Sequence, residues 1–339
     1  MRFAKTVFPL IFSLLLILAA SPLFAQSTSA PSFANRPDVK AFIHMMVTQY
    51  GFNQADLTQV FNEVEEQPSI VVGMSTTKEQ LPWYKYRDIF ITPERINQGV
   101  DFWKNHQKTL QAVNQRDGVD PAIIVAIIGV ETYYGKHQGT YRVIDSLSTL
   151  AFDYPSRGPF FKEELKEYLL LTRENNINPM LLKGSYAGAM GQPQFMPSSY
   201  RHYAVAFNDM NNKQKDLANN ADDVIASVSN YFKKNGWTTG EAVAFPAKIN
   251  GSAYKLITAN QLKPAMSTKQ LAAYGISPQN NVTPPNPLTF IMLALPNDQA
   301  EYWLGCHNFY VISRYNPRLN YAMAVYQLSE AMKKQMAAS

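Results

Sequence analysis

Cysteine is almost missing: Cys306 is the only one in 339 residues. That excludes an internal disulfide, so stability has to come from burial of apolar surface. Cys306 reads as a small buried apolar residue, with a reactive thiol as the alternative. Histidine is sparse too, and His44, His106, His137, His202 and His307 show no metal-ligand spacing. The sequence has no Gly-x-Ser-x-Gly elbow, and Gly184–Gly191 lacks the spacing of a dinucleotide or phosphate loop. No apolar run after the N-terminus is long enough to cross a bilayer. These absences disfavour metallopeptidases, common serine hydrolases and nucleotide enzymes. Chemistry run by carboxyl groups remains.

The N-terminus has its own logic. Arg2 and Lys5 precede an apolar run from Thr6 to Ala20, followed by Ser21-Pro22 and the small-residue end Leu23-Phe24-Ala25. This is the pattern of a signal peptide cleaved after Ala25. The apolar run is short and Pro9 interrupts it, which argues against a membrane anchor. No cysteine sits near the cleavage point to carry a lipid. Without Arg2 and Lys5, the 31 basic residues fall by two against 26 acidic ones, leaving a net charge of +3. That is too little to argue for nucleic acid and compatible with a polyanionic cell wall.

Residues 26–36 are polar and read as disordered. Val39, Phe42, Ile43, Met46 and Val47 then recur at helical spacing, and a second short helix is expected from Asn53 through Phe61. Residues 66–92 read as loop-rich, with an aromatic cluster at Trp83, Tyr84 and Tyr86. A helix is expected over 93–113. The next one has a clear start, because Asp120 can cap it and Pro121 suits its first turn. It runs through an apolar stretch to Glu131 and should be buried on all sides. Further helices are expected over 160–174 and 221–234, the latter ended by Gly236. Residues 242–249 and 288–295 read as strands within a small β insertion. A final amphipathic helix starts near Asn316. The fold class is mainly α with a small β part (α+β). Its divisions are a helical domain at 37–110, a catalytic core at 111–239, a β subdomain at 240–305, and a closing segment at 306–339 that returns to the helical domain.

Two places can carry chemistry. Glu131 stands at the C-terminal end of an apolar helix, where desolvation and the negative end of the helix dipole both raise a carboxyl pKa. A glutamic acid still protonated near neutral pH can give its proton to a glycosidic oxygen. The alternative is an ion pair with a cation such as Arg142 that only supports the fold. The second place is the loop Gly184–Pro197, GSYAGAMGQPQFMP. Its glycines let backbone approach a ligand closely. Ser185, Gln192 and Gln194 can bond sugar hydroxyls, and Phe195 offers apolar surface. A purely structural glycine-rich turn is the other reading. Tyr86, Tyr231, Tyr315 and Tyr321 suit stacking on sugar rings, as they also suit a core.

Several long motifs in one order add to this. GVETYYG (129–135), FDYPSRGPFF (152–161), KGSYAGAMGQPQFMPSSY (183–200) and SNYFKKNGW (229–237) together resemble the B-type lytic murein transglycosylases. The flanks WYKYRDIFITPERINQGVDFW (83–103) and NFYVISRYNPRLNYAMAV (308–325) agree. The resemblance covers nearly all of the chain after the leader. It implies a lysozyme-like catalytic core with an additional helical domain and a small β domain, and a periplasmic location; some relatives start with a lipidated cysteine, which this sequence lacks near Ala25. It implies cleavage of the β-1,4 bond between N-acetylmuramic acid and N-acetylglucosamine in peptidoglycan, with 1,6-anhydro ends. By position the catalytic glutamate falls on Glu131. The substrate-groove positions fall on Tyr86, Arg157, Ser185, Gln194, Phe195, Tyr231, Tyr315 and Tyr321. Where the family often has two arginines after Tyr-Pro, this chain has Ser156-Arg157.

The family often carries an EF-hand-like calcium loop before the helix at 221–234. Here the stretch 208–219 has Met210 at the third loop position and Lys213 at the usual turn glycine. The loop reads as degenerate, so no metal and no cofactor are expected. The expected partner is the glycan strand, bound by a monomer, with no nucleic acid. Two other functions stay open: a muramidase using water, with Asp145 or Asp153 as second carboxylate, and a non-catalytic wall-binding scaffold.

Overall fold

The computed structural model describes residues 32–74, 81–208, 215–279 and 282–338. The leader expected at 1–25 lies outside them, as do Met210, Asn212 and Lys213. The spacing of Val39, Phe42, Ile43 and Met46 becomes the buried face of α1 (Pro37–Tyr50), which Gly51 ends in the left-handed conformation. Asn53 caps α2 (Gln54–Asn62) by accepting from the amides of Ala55 and Asp56.

The expected disorder over 26–36 does not hold at its C-terminal end. Phe33 and Ala34 are buried, and Arg36 pairs with Asp153 at 2.7 Å. Phe33 packs edge-on against Phe152, a partner far along the chain that polar local composition cannot reveal. The loop expected over 66–92 contains two short helices, α3 (Pro68–Met74) and α4 (Trp83–Phe90). Each is held by a buried anchor, Ile70 in the first and Trp83 in the second. Such short helices depend on packing more than on propensity. The single helix expected over 93–113 is broken at His106 into α5 (Pro93–Asn105) and α6 (Gln107–Asp117).

α7 (Pro121–Thr132) matches its reading. Asp120 accepts from the amide of Ala122, Pro121 opens the helix, and residues 122–130 are all buried. Substituting Ile124 by Ala would cost about 2–5 kcal/mol. The two-residue strand β1 (Tyr141–Arg142) leads into α8 (Val143–Asp153), and α9 (Gly158–Glu174) follows. β2 (Lys183–Gly184) pairs antiparallel with β1, Tyr141 opposite Gly184. Next come α10 (Pro197–Tyr203) and α11 (Ala221–Lys234), the latter capped by Asn220.

Two strands of the β insertion match their readings, β3 (Ala244–Ile249) and, later in the chain, β5 (Thr289–Ala294). Between them lie α12 (Thr268–Ala273) and β4 (Ile276–Pro278), and β6 (Ala300–Gly305) follows. The order in the antiparallel sheet is β4-β3-β6-β5. Sequence reading missed β6, as it missed β4 and the two-residue strands β1 and β2, yet β6 sits between β3 and β5. Its Ala-Glu-Tyr-Trp start lacks a clean alternation. The chain closes with α13 (His307–Ser313) and α14 (Leu319–Ala338).

Buried residues form three clusters. One joins α4–α7 with α11, α13 and α14. A second joins α1–α3 with α8 and α9. The third fills one face of the sheet. Within 37–110 the first three helices share a core with α8 and α9, and the last three share one with α7, α11 and α14. α14 packs on α4, α5 and α7, which carries Tyr321 from the end of the chain to the centre. Among the described residues no helix is long and apolar enough to cross a membrane.

Candidate active site

Glu131 occupies the last turn of α7. The helix ends abruptly, because Tyr133, Tyr134 and Gly135 all take positive φ, at 54°, 59° and 86°. Glu131 is half-buried as a residue, but its carboxyl lies among enough protein atoms that burial pushes the pKa up to about 7. One hydrogen bond opposes this. Tyr321 Oη of α14 donates to Glu131 Oε1 at 2.5 Å, which favours the ionised form. Tyr321 is 3% exposed, and burial holds its own pKa well above the ordinary tyrosine value, so it stays a donor. The ion-pair alternative for Glu131 fails, since Arg142 binds Asp145 at 2.6 Å and Glu65 at 3.2 Å.

Around this pair the structure assembles an aromatic wall. The Tyr315 ring stacks on Tyr321 with centroids 6.5 Å apart, and it lies 4.8 Å from Tyr231 and 5.8 Å from Phe195. Each hydroxyl is anchored. Tyr315 donates to the carbonyl of Pro193 at 2.5 Å, and Tyr231 to that of Arg314 at 2.6 Å. Tyr86, on α4, is buried beside Phe90 and close enough to Tyr321 to bear on its ionisation. Thus Glu131, Tyr86, Phe195, Tyr231, Tyr315 and Tyr321 converge although they span most of the chain.

The glycine-rich loop is tied to the same helix end. Thr132 Oγ1 donates to the carbonyl of Gln192 at 2.8 Å and accepts from the amide of Gly135 at 3.0 Å. Gly191 needs its absent side chain: its φ is 68°, and a Cβ there would lie 2.6 Å from the carbonyl of Leu217. Gln194, at φ 50°, donates to the carbonyls of Gln138 and Gly191. Ser185 Oγ accepts from the amides of Ala187 and Ala189, so it shapes its own turn. Arg157 is not brought to Glu131 by any contact. It is exposed and stacks on Phe160 at 4.5 Å and Phe161 at 5.3 Å, at the start of α9.

Neither aspartate considered as a second carboxylate is free. Asp145 is buried and bonds Arg142 and the amide of Glu65, and Asp153 pairs with Arg36. Among the described residues no carboxylate contributes to the shift on Glu131. The calcium question turns on Asp216 and Asp223. Asp216 accepts from the amides of Ala218 and Asn219, and Asp223 from those of Phe207 and Asp216. Asp223 thereby joins the two ends of the loop through N–H donors. Sequence reading missed Thr132 and Arg95, whose guanidinium bonds the carbonyl of Gly129. Thr132 stood beside Glu131 as a weak signal, and Arg95 gave none.

A glutamic acid with a raised pKa and a tyrosine donor, set in a cluster of buried aromatic rings, is an arrangement that suits acid catalysis. Residues 34–330 match the Transglycosylase SLT domain family. The chain belongs to that family, in its B-type lytic transglycosylase branch. It is 41% identical over 311 residues to membrane-bound lytic murein transglycosylase B of Escherichia coli K12, covering 88% of this chain and 84% of that one. The soluble lytic transglycosylase SltB1 of Pseudomonas aeruginosa is 43% identical with a TM-score of 0.82, over 89% of this chain and 100% of that chain. SltB3 of the same organism, solved with NAG-anhNAM-pentapeptide, is 29% identical with a TM-score of 0.75, over 90% and 80%. The fold is thus mainly helical and lysozyme-like.

Proposed function

We propose that this chain is a peptidoglycan lytic transglycosylase that cleaves the β-1,4 bond between N-acetylmuramic acid and N-acetylglucosamine. The observation that carries the reading is a single carboxyl group, Glu131, held by the Tyr321 hydroxyl, with its pKa raised by burial and no second carboxylate among the described residues acting on it. Protonated Glu131 gives its proton to the glycosidic oxygen as the bond to C1 breaks. The Tyr321 hydroxyl stabilises the carboxylate that forms. Glu131 then takes the proton of the muramoyl C6 hydroxyl as that oxygen attacks C1. One group serves as acid and then base because its charge alternates. No water is consumed, and the new end is 1,6-anhydromuramic acid. The nucleophile is already part of the reacting sugar, so proximity favours it over water. Tyr86, Phe195, Tyr231, Tyr315 and Tyr321 form the groove wall, with Ser185, Gln194 and Arg157 as further glycan contacts.

The chain works in the periplasm as a monomer, after export by a cleaved leader and without lipidation. The pattern of residues 1–25 supports export, and Gln26 at the position where a lipidated protein would carry cysteine supports the unlipidated form. It needs no calcium. Digestion of purified peptidoglycan in ¹⁸O-water tests the chemistry. Unlabelled anhydro ends are expected, one water lighter than hydrolytic ends. Labelled reducing ends would make the enzyme a muramidase. No release of fragments would leave only a wall-binding scaffold.

A further inference from the structure

Arg95 is a half-buried cation with no carboxylate partner among the described residues. Its Nη1 donates to the carbonyl of Gly129 at 2.8 Å, and its Nε is buried without a partner. Its guanidinium lies 4.6 Å from the Tyr133 ring and 5.2 Å from the Phe90 ring. Burial lowers its pKa from the ordinary arginine value, so the position is costly for a charge. The neighbours that offset this cost are two aromatic faces and the negative end of α7.

That end is where Glu131 sits. Arg95 grips Gly129, two residues before it, and Tyr133, two residues after it. Its own carbonyl accepts from Tyr134 Oη at 2.9 Å. Tyr134 is wedged between α5 and α7, since a Cβ on Gly99 or Gly129 would lie 2.4 or 2.6 Å from its hydroxyl. Tyr133 and Tyr134 hold left-handed backbone that side chains disfavour, and such backbone persists only where neighbours over-determine it. One residue of α5 thus touches both flanks of Glu131 without touching Glu131 itself.

We infer that Arg95 is a positioning residue for the lytic reaction, clamping the helix end and the strained turn so that the Glu131 carboxyl keeps its place against Tyr321. This rests on the role of Glu131 proposed above. A methionine here would pack as well but could neither bond Gly129 nor stack on Tyr133.

The test is steady-state release of muropeptides by Arg95→Met, Arg95→Lys and Arg95→Ala, with folding checked by circular dichroism. Misplacing a reacting group by about 1 Å can cost roughly 100-fold, so Arg95→Met should lower kcat by about 10- to 100-fold. KM should stay within about twofold, since substrate binding groups are untouched. Arg95→Lys should recover little, because an ammonium cannot bond and stack in one plane as a guanidinium does. Added ethylguanidinium should restore part of kcat in Arg95→Ala, which a general loss of stability would not allow. An unchanged kcat in folded Arg95→Met or Arg95→Lys overturns the inference. So does a loss confined to KM, or a kcat loss in Arg95→Ala that ethylguanidinium leaves untouched. Wild-type activity with unchanged variants removes this inference alone, whereas an inactive wild type removes the functional reading with it.

Discussion

Tyr321→Phe isolates one hydrogen bond at the centre of the site. The variant keeps the ring that stacks on Tyr315 and removes the donor 2.5 Å from Glu131 Oε1. Two consequences follow with definite signs. The hydroxyl stabilises the ionised carboxyl, so its loss raises the Glu131 pKa further above about 7. A general acid loses activity as pH rises through its pKa, so the alkaline limb of kcat/KM should move to higher pH. The same hydroxyl also stabilises the carboxylate that develops when Glu131 gives up its proton. A hydrogen bond to a charged group contributes about 1.5–3 kcal/mol, and each 1.4 kcal/mol is about tenfold in rate. At pH 6, where Glu131 is mostly protonated in both proteins, kcat should therefore fall by about 10- to 100-fold. The assay is turnover of purified peptidoglycan across pH 5–9, with anhydro products counted by mass spectrometry. A profile that neither shifts nor drops would refute the role of this bond, and a limb moving to lower pH would refute the sign.

Glu131→Gln should keep the fold and lose activity by about 10⁴-fold, the upper end for general acid catalysis, because one residue serves both steps. Its stability should carry a signature as well. The folded pKa of about 7 lies above the reference 4.5, so wild-type stability falls as pH rises through that window and the penalty is complete above it. The Gln variant lacks the penalty, so its thermal midpoint should exceed that of the wild type at pH 8 and match it at pH 4. Equal differences at both pH values would argue against a buried, raised carboxyl. For calcium, the thermal midpoint should not change with chelator, since Met210 offers no oxygen at a ligand position and Lys213 replaces the usual turn glycine. A calorimetric titration that finds a micromolar site in the 208–219 loop would prove this wrong.

Local signals were legible wherever the chain states its own chemistry. Asp120, Pro121 and the apolar run beyond them specify a buried helix ending at Glu131, because capping and hydrophobic burial act over a few residues. Desolvation at that helix end also foretold the direction of the Glu131 shift. The ordered motifs carried the family. Only the tertiary structure decided which side chains meet. Phe33 is anchored by Phe152, Arg36 by Asp153, and Glu131 by Tyr321 rather than by Arg142. It also removed Asp145 and Asp153 from candidacy by pairing each with an arginine. Arg95 is the clearest case. Its charge, on an ordinary-looking helix, has meaning only because α5 lies across the end of α7. A contact between residues distant in sequence depends on how helices pack, and no local pattern of residues encodes that geometry.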